Sequence, residues 1–279
     1  MLAVIPLALT GCTVGIVSDG DVNSPSNNKA GECWNSTATR TTDGFPSTSK
    51  GRTIVDCTAE HELETFFVDD VDATTDRNTA IINTYQLCER QADQLLGAPR
   101  RTGRIEVNYY LTEKSTDGHV TRRVACTLAE AKNYSRHEHV RRTGSLRGAL
   151  TQPGPLAIGC VQVAYGPEGT PIDVDYLPNC DGPHGGEFTG LQRFDPAALP
   201  TTAAEYKTVA VQMCEKSVIA YLGWSDSRSS TDVNPLFLGP GVDALTRGAD
   251  MVRCLVVANN GKHFTGVVKG IGDKPVPIA

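Results

Sequence analysis

The 279-residue chain contains no apolar run approaching the length of about 18 residues that a membrane-spanning helix needs. It has no long run of Lys or Arg either, and its formal net charge is −6 with a pI near 5.5. A surface built to grip nucleic acid is therefore not expected. Glycine-rich phosphate cradles, a His-Glu-x-x-His helix and a dinucleotide fingerprint are all missing, which removes the commonest nucleotide, zinc-protease and NAD chemistries. No Gly-x-Ser-x-Gly elbow presents a nucleophilic serine. A retaining glycosidase needs two carboxylates about 5 Å apart, and no pattern singles out such a pair. Two segments are locally basic, "APRRTGR" (Ala98 to Arg104) and "RHEHVRR" (Arg136 to Arg142), and both read as solvated loops.

What the chain does have is an apolar start. Leu2 to Leu9 is too short to cross a bilayer but fits the apolar core of an export signal, although no Lys or Arg precedes it. It ends in Leu9-Thr10-Gly11-Cys12, which resembles a bacterial lipobox. The expectation is a signal peptide over residues 1–12, with Cys12 lipidated and inserted in the membrane. Residues 13–30 are rich in Ser, Asn, Asp and Gly and read as a flexible tether.

Nine cysteines are present, and eight remain once Cys12 is set aside: Cys33, Cys57, Cys88, Cys126, Cys160, Cys180, Cys214 and Cys254. An even number in an exported chain points to disulfides. The cysteines also expose an internal repeat. "QLCERQADQLLG" (Gln86 to Gly97) aligns with "QMCEKSVIAYLG" (Gln212 to Gly223), and "VACTLA" from Val124 with "VRCLVV" from Val252. "TGSLRG" from Thr143 aligns with "TGVVKG" from Thr265, and "CTAEHELE" from Cys57 with "CDGPHGGE" from Cys180. The order is the same in both halves, so we read two tandem copies, residues 31–150 and 156–279, each with four cysteines. Pro153, Gly154 and Pro155 mark the boundary.

Each copy reads as strands, a helix, then strands. Strands are expected at Arg52 to Asp56, Leu63 to Val71, Ile105 to Thr112, Val120 to Leu128 and Ser145 to Leu150. A helix is expected over Thr79 to Leu96, with Ile81, Tyr85, Cys88, Ala92 and Leu95 on its apolar face and Gly97 as its stop. Tyr206, Ala210, Met213, Ser217 and Ala220 give a weaker stripe before Gly223. The fold class is α+β, with one main helix pinned to an antiparallel sheet in each copy. Four cysteines allow three pairings per copy. The favoured set is Cys33–Cys57, Cys88–Cys126, Cys160–Cys180 and Cys214–Cys254, each worth about 3–4 kcal/mol in the chain-entropy model.

These segments resemble the septum-formation domain of actinobacterial envelope proteins. That pattern runs Gly-Asp-Cys, Val-x-Cys-x-x-Pro-His-x-x-Glu, a helical Cys, Gly-Asp-Arg-x-Val-x-Cys and a closing Thr-Gly-Ser-Leu-Arg-Gly. The first copy matches with "GEC" (Gly31 to Cys33), "VDCTAEHELE" (Val55 to Glu64) and "TGSLRG" (Thr143 to Gly148), and the second with "CDGPHGGE" and "GADMVRC" (Gly248 to Cys254). The pattern's Pro is absent before His61, Met251 stands in place of its Arg, and "TGVVKG" is a looser closing match. The resemblance implies an exported envelope protein linked to septum formation, and no particular chemistry.

The repeated Cys-x3-His-x2-Glu element has the right atoms for zinc. If its Cys is oxidised, however, only an imidazole and a carboxylate remain. His61, Glu64, His184 and Glu187 are therefore read as structural, with no metal, no cofactor and no catalytic residue assigned. A His–Glu pair can also hold an imidazolium that titrates near neutrality. Arg147 and Lys269 keep a positive charge at one place in both closing motifs and read as fold or surface-contact residues. The expected function is that of a non-catalytic, lipid-anchored protein on the extracytoplasmic face of the cell membrane. Its partners would be membrane lipid through Cys12 and an envelope protein, division protein or cell-wall component, not nucleic acid. The alternative is a small-molecule or metal-responsive sensor, or a weak hydrolase, using the His/Glu pairs.

Overall fold

The computed structural model describes residues 15–18, 27–36, 52–71, 73–116, 119–152, 154–167, 169–225 and 230–279. Cys12 lies outside them. The chain divides into two units, the first made of Thr13–Lys132 with Arg136–Leu156, the second of Ala157–Ala279 with Asn133–Ser135. Both are α+β. Among the described residues no helix is long and apolar enough to cross a membrane.

The first unit holds strands β1 (Gly15–Ser18), β2 (Cys33–Ser36), β3 (Arg52–Val55), β4 (Leu63–Val71), β5 (Ile105–Thr116), β6 (His119–Ala131) and β7 (His139–Val140), with helix α1 (Arg77–Leu96) between β4 and β5. Its sheet runs β1-β5-β6-β4-β2-β3, and β7 pairs with β6. All of these pairings are antiparallel except that of β1 with β5. The second unit holds β8 (Cys160–Tyr165), β9 (Pro171–Tyr176), β10 (Gly186–Arg193), β11 (Val233–Leu238) and β12 (Met251–Ala258). Helix α2 (Ala203–Leu222) joins β10 to β11, and the short α3 (Val242–Leu245) precedes β12. The order here is β11-β12-β10-β8-β9, all antiparallel. Strand for strand, this matches β5-β6-β4-β2-β3. The bulges also coincide: register shifts between Thr65 and Phe67 on β4, and between Phe188 and Gly190 on β10.

Each main helix begins and ends on its own capping chemistry. Asp76 accepts from the Thr79 N–H at the start of α1, while Thr202 and Glu205 form a reciprocal capping box on α2. Gly97 (φ 83°) and Gly223 (φ 69°) close the two helices in the left-handed conformation that glycine reaches without strain.

The buried helix face differs from the expected stripe. On α1 the buried row is Ala80, Thr84, Cys88, Ala92 and Leu96, joined by Tyr85, while Ile81 and Leu95 are only partly buried. On α2 it is Tyr206, Ala210, Cys214, Val218 and Leu222, joined by Ser217; Met213 is partly buried and Ala220 exposed. Both rows step by four residues and both centre on the cysteine. At that centre Cys88 is bonded to Cys126 on β6 and Cys214 to Cys254 on β12, with Cα atoms 5.6 and 5.1 Å apart. The bond holds the middle of each helix close to its sheet, and the alanines in the row let the backbone approach; the row that steps by four is an i±4 ridge laid along the sheet. The remaining disulfides are Cys33–Cys57 and Cys160–Cys180.

Two further expectations are corrected. Within the supposed tether, Gly15–Ser18 forms a parallel strand on β5, and Asn28 is fully buried, donating to Thr65 Oγ1 at 2.6 Å. The β-branched Ile16 and Val17 outweigh the polar composition around them. Ser145 to Leu150 is a turn rather than a strand. Gly144 (φ 78°) and Gly148 (φ 69°) break any extended run, and the Gly148 and Leu150 N–H groups donate to Leu95 and Leu96 carbonyls at the end of α1. Carbonyls left over by a helix end take the donors that a strand neighbour would otherwise receive.

Replacing Cys214 and Cys254 together with Ala is expected to lower the unfolding free energy by about 2–4 kcal/mol, because the bond closes a long loop. Chemical denaturation of the oxidised protein measures this. An unchanged midpoint would mean that packing alone holds α2 on its sheet.

Candidate functional site

His61 and His184 sit at the strand entries just before β4 and β10, with side chains almost wholly buried. Each backbone forms a two-way bridge, His61 with Arg142 and His184 with Phe264. Each Nδ1 is within hydrogen-bond reach of a carbonyl two residues earlier, Ala59 at 2.9 Å and Gly182 at 2.8 Å. His184 Nε2 lies 3.0 Å from Glu187 Oε1, whereas His61 Nε2 has no hydrogen-bond partner among the described residues.

The two glutamates reach the closing motif. Glu64 accepts from the Leu146 N–H at 2.8 Å and the Ser145 hydroxyl at 2.7 Å. Glu187 accepts from the Val268 N–H at 2.8 Å and the Tyr221 hydroxyl at 2.7 Å. Leu146 and Val268 are corresponding positions, so one bond is common to both units. The hydroxyl is supplied differently. Where the first unit has Ser145 on the turn and Leu95 on the helix, the second has Val267 and Tyr221. The hydroxyl donor lies on the turn in one unit and on the helix in the other, and each carboxylate has one.

Cys33, His61 and Glu64 offer ligand atoms within 4.8 Å of one another, as do Cys160, His184 and Glu187. The chemistry of that donor set argues against zinc. Both cysteines are disulfide-bonded and supply no thiolate, and the carboxylates are already receiving N–H and O–H bonds. One imidazole and one engaged carboxylate fall short of the ligands a zinc ion takes. Arg147 and Lys269 occupy the same exposed point of the two closing turns.

The two basic segments are not the solvated loops expected. Arg100 and Arg101 are buried, Arg100 pairing with Glu89 through two nitrogens and Arg101 donating to Tyr85 Oη at 2.8 Å. Burial alone would raise the Glu89 carboxyl, but Arg100 and Arg101 outweigh it and hold it below the ordinary value. In "RHEHVRR" the His139 ring lies between two carboxylates, Nδ1 at 3.2 Å from Glu62 and Nε2 at 3.1 Å from Glu106. His137 Nδ1 lies 3.3 Å from the other Glu106 oxygen. Burial again pushes the Glu106 carboxyl up, and the two histidines more than reverse it, leaving it well below the usual carboxylate range. This four-residue network was missed in the sequence, although the His-x-His spacing inside a supposedly basic loop was its visible sign.

Together these features define a disulfide-stapled α+β protein whose chemistry-bearing residues are mostly turned inward. Comparison with family models gives a match to the family described as septum formation over residues 30–254, in one span across both units. The chain belongs to the septum-formation family. Comparisons with curated proteins and with solved structures return no match.

Tyr221→Phe should lower stability by about 1–3 kcal/mol, because a buried carboxylate loses a donor. Adding Val267→Ser, which restores the Ser145 arrangement, should recover part of that loss. Thermal melts of the single and double variants test this, and equal melts would break the proposed exchange of donors. The Glu106 network sets an acid limit. A carboxyl whose folded pKa is depressed adds stability above its unfolded value near 4.3 and loses it as pH falls further. Stability should therefore decline below about pH 4.3. Glu106→Gln should flatten that limb in denaturation series run across the acid range.

Proposed function

We propose that this member of the septum-formation family is a non-catalytic protein tethered by lipidated Cys12 to the extracytoplasmic face of an actinobacterial cell membrane. There it binds an envelope protein, a division protein or a cell-wall component. The observation that carries the reading is the inward use of its reactive groups. Glu64 and Glu187 are spent on the closing turns, and the eight cysteines lie in four disulfides. A sensor or hydrolase acting through these His/Glu pairs would need them free. The disulfides also favour an oxidising compartment. The common strand order and coincident bulges support two tandem copies of one unit, with binding as the role left to their surfaces.

Membrane fractionation with mass spectrometry tests the anchor. The expected result is a diacylglycerol-modified peptide starting at Cys12, with release of the Cys12→Ala variant from the membrane. Pull-down from crosslinked cells then compares wild type with His61→Ala and His184→Ala. If the histidines are scaffold, partner yield should fall only as far as the melting temperature does. Loss of binding at full stability would place the binding site on them instead.

A further inference from the structure

The second unit contains a cleft of about 570 Å³ between β10 and α2, walled by Phe188, Thr189, Gly190, Ser217, Ala220 and Tyr221 and flanked by Lys216 and Lys269. Its origin is a single position. Gly190 pairs with Cys254 immediately after the β10 bulge, and Phe67 pairs with Cys126 immediately after the corresponding bulge on β4. Residues directly opposite one another on an antiparallel sheet share a face. Cys254 is bonded to α2, so position 190 faces that helix. Gly190 puts no side chain there, and its φ of 144° suits glycine. A Cβ at this position would meet only the Ser217 hydroxyl, at 3.7 Å.

The groups around this space favour an anion. Lys216 and Lys269 are both exposed, neither has a carboxylate partner among the described residues, and no acidic side chain lines the cleft. Lys269 Nζ is 5.8 Å from the Tyr221 ring centroid, with the ring forming part of the wall. The Thr189 and Ser217 hydroxyls are 2.9 Å apart. One proton suffices for that contact, so the other hydroxyl proton is available to an incoming oxygen. The volume lies within the range of small-molecule sites, and Ala220 and Tyr221 supply apolar walls.

We propose that the Gly190 cleft binds a small sugar-sized ligand carrying a carboxylate or phosphate. Lys216 and Lys269 hold the charge, Thr189 and Ser217 bond its hydroxyl or anionic oxygens, and the Tyr221 ring covers its apolar face. The assignment rests on the binding-protein reading above and gives it one chemical class of ligand.

The test is titration of the oxidised full chain by calorimetry, using three probes: N-acetylmuramic acid, N-acetylglucosamine 6-phosphate and neutral N-acetylglucosamine. One or both charged probes should bind, the neutral one at least about tenfold more weakly, and added salt should weaken the interaction. A carboxylate source and a phosphate source are distinguished by which charged probe binds. Lys216→Gln with Lys269→Gln should reduce binding at least about tenfold without moving the thermal melt, because both side chains are exposed. Gly190→Phe, which copies the first unit, should abolish binding. If that variant does not fold, Ala220→Leu fills the same space from the exposed helix face. Binding by neither charged probe, or binding unchanged in the lysine variant, would overturn the proposal. Lost binding with partner capture from cells intact would overturn the cleft while sparing the wider reading.

Discussion

The buried carboxylate after each strand-entry histidine is the interaction on which both units depend. A carboxylate removed from water costs several kcal/mol unless donors replace its hydration. Glu64 and Glu187 are 6% and 1% exposed, so their donors must be fixed in place. The donors come from the closing turns, which lie about eighty residues away in the chain. Those turns in turn cap the ends of α1 and α2: Gly148 and Leu150 donate to Leu95 and Leu96, and Gly270 and Gly272 to Tyr221 and Leu222. A strand entry, a helix end and the last turn of the unit therefore converge on one acid. The cysteine seven residues upstream of each acid secures the same place covalently, through Cys33–Cys57 and Cys160–Cys180.

Much of this framework can be read in the sequence because it rests on local signals. Leu63–Val71 matches a strand read from β-branched and aromatic density, and α1 starts within two residues of its expected position and stops at Gly97. The third cysteine of each set is on the buried helix face and the fourth on a strand. What could not be read are choices made by distant partners. Ile81 and Leu95 are as apolar as Ala80 and Leu96, and both rows pass through Cys88, so the choice is made by how the helix lies across the sheet. A strand over Ser145 to Leu150 runs against the sign of Gly148, and the helix carbonyls that claim its N–H groups are invisible in the sequence. In the same way His139 reads as one more charge in a basic loop until Glu62 and Glu106 are placed on either side of it.

Agreement between the units marks what the fold requires, and disagreement marks where each is free to differ. The bond from Glu64 or Glu187 to a closing-turn N–H occurs in both, as do the bulge, the glycine helix stop and the two disulfides. These satisfy the backbone and the core, and a ligand adds nothing to the account of them. The Ser145/Leu95 and Val267/Tyr221 exchange keeps one hydroxyl on the acid by a different route, so it too is a structural variation.

Two differences have no such compensation. Glu62 and Glu106 correspond to Gly185 and Asn234, by motif position and by pairing with Ala129 and Val257. The charged network around His139 is thus an addition to the first unit that the second folds without. At the matching bulges Phe67 gives way to Gly190, which removes a large side chain from beneath a helix. An unfilled space of that kind loses packing contacts and is ordinarily closed by selection for stability alone. Here it is bordered by two ammonium groups with no carboxylate partner among the described residues and by a hydroxyl pair, which recover nothing for the core. A gap that costs packing and is lined by groups suited to an anion makes more physical sense as a place for a ligand than as a flaw in the fold.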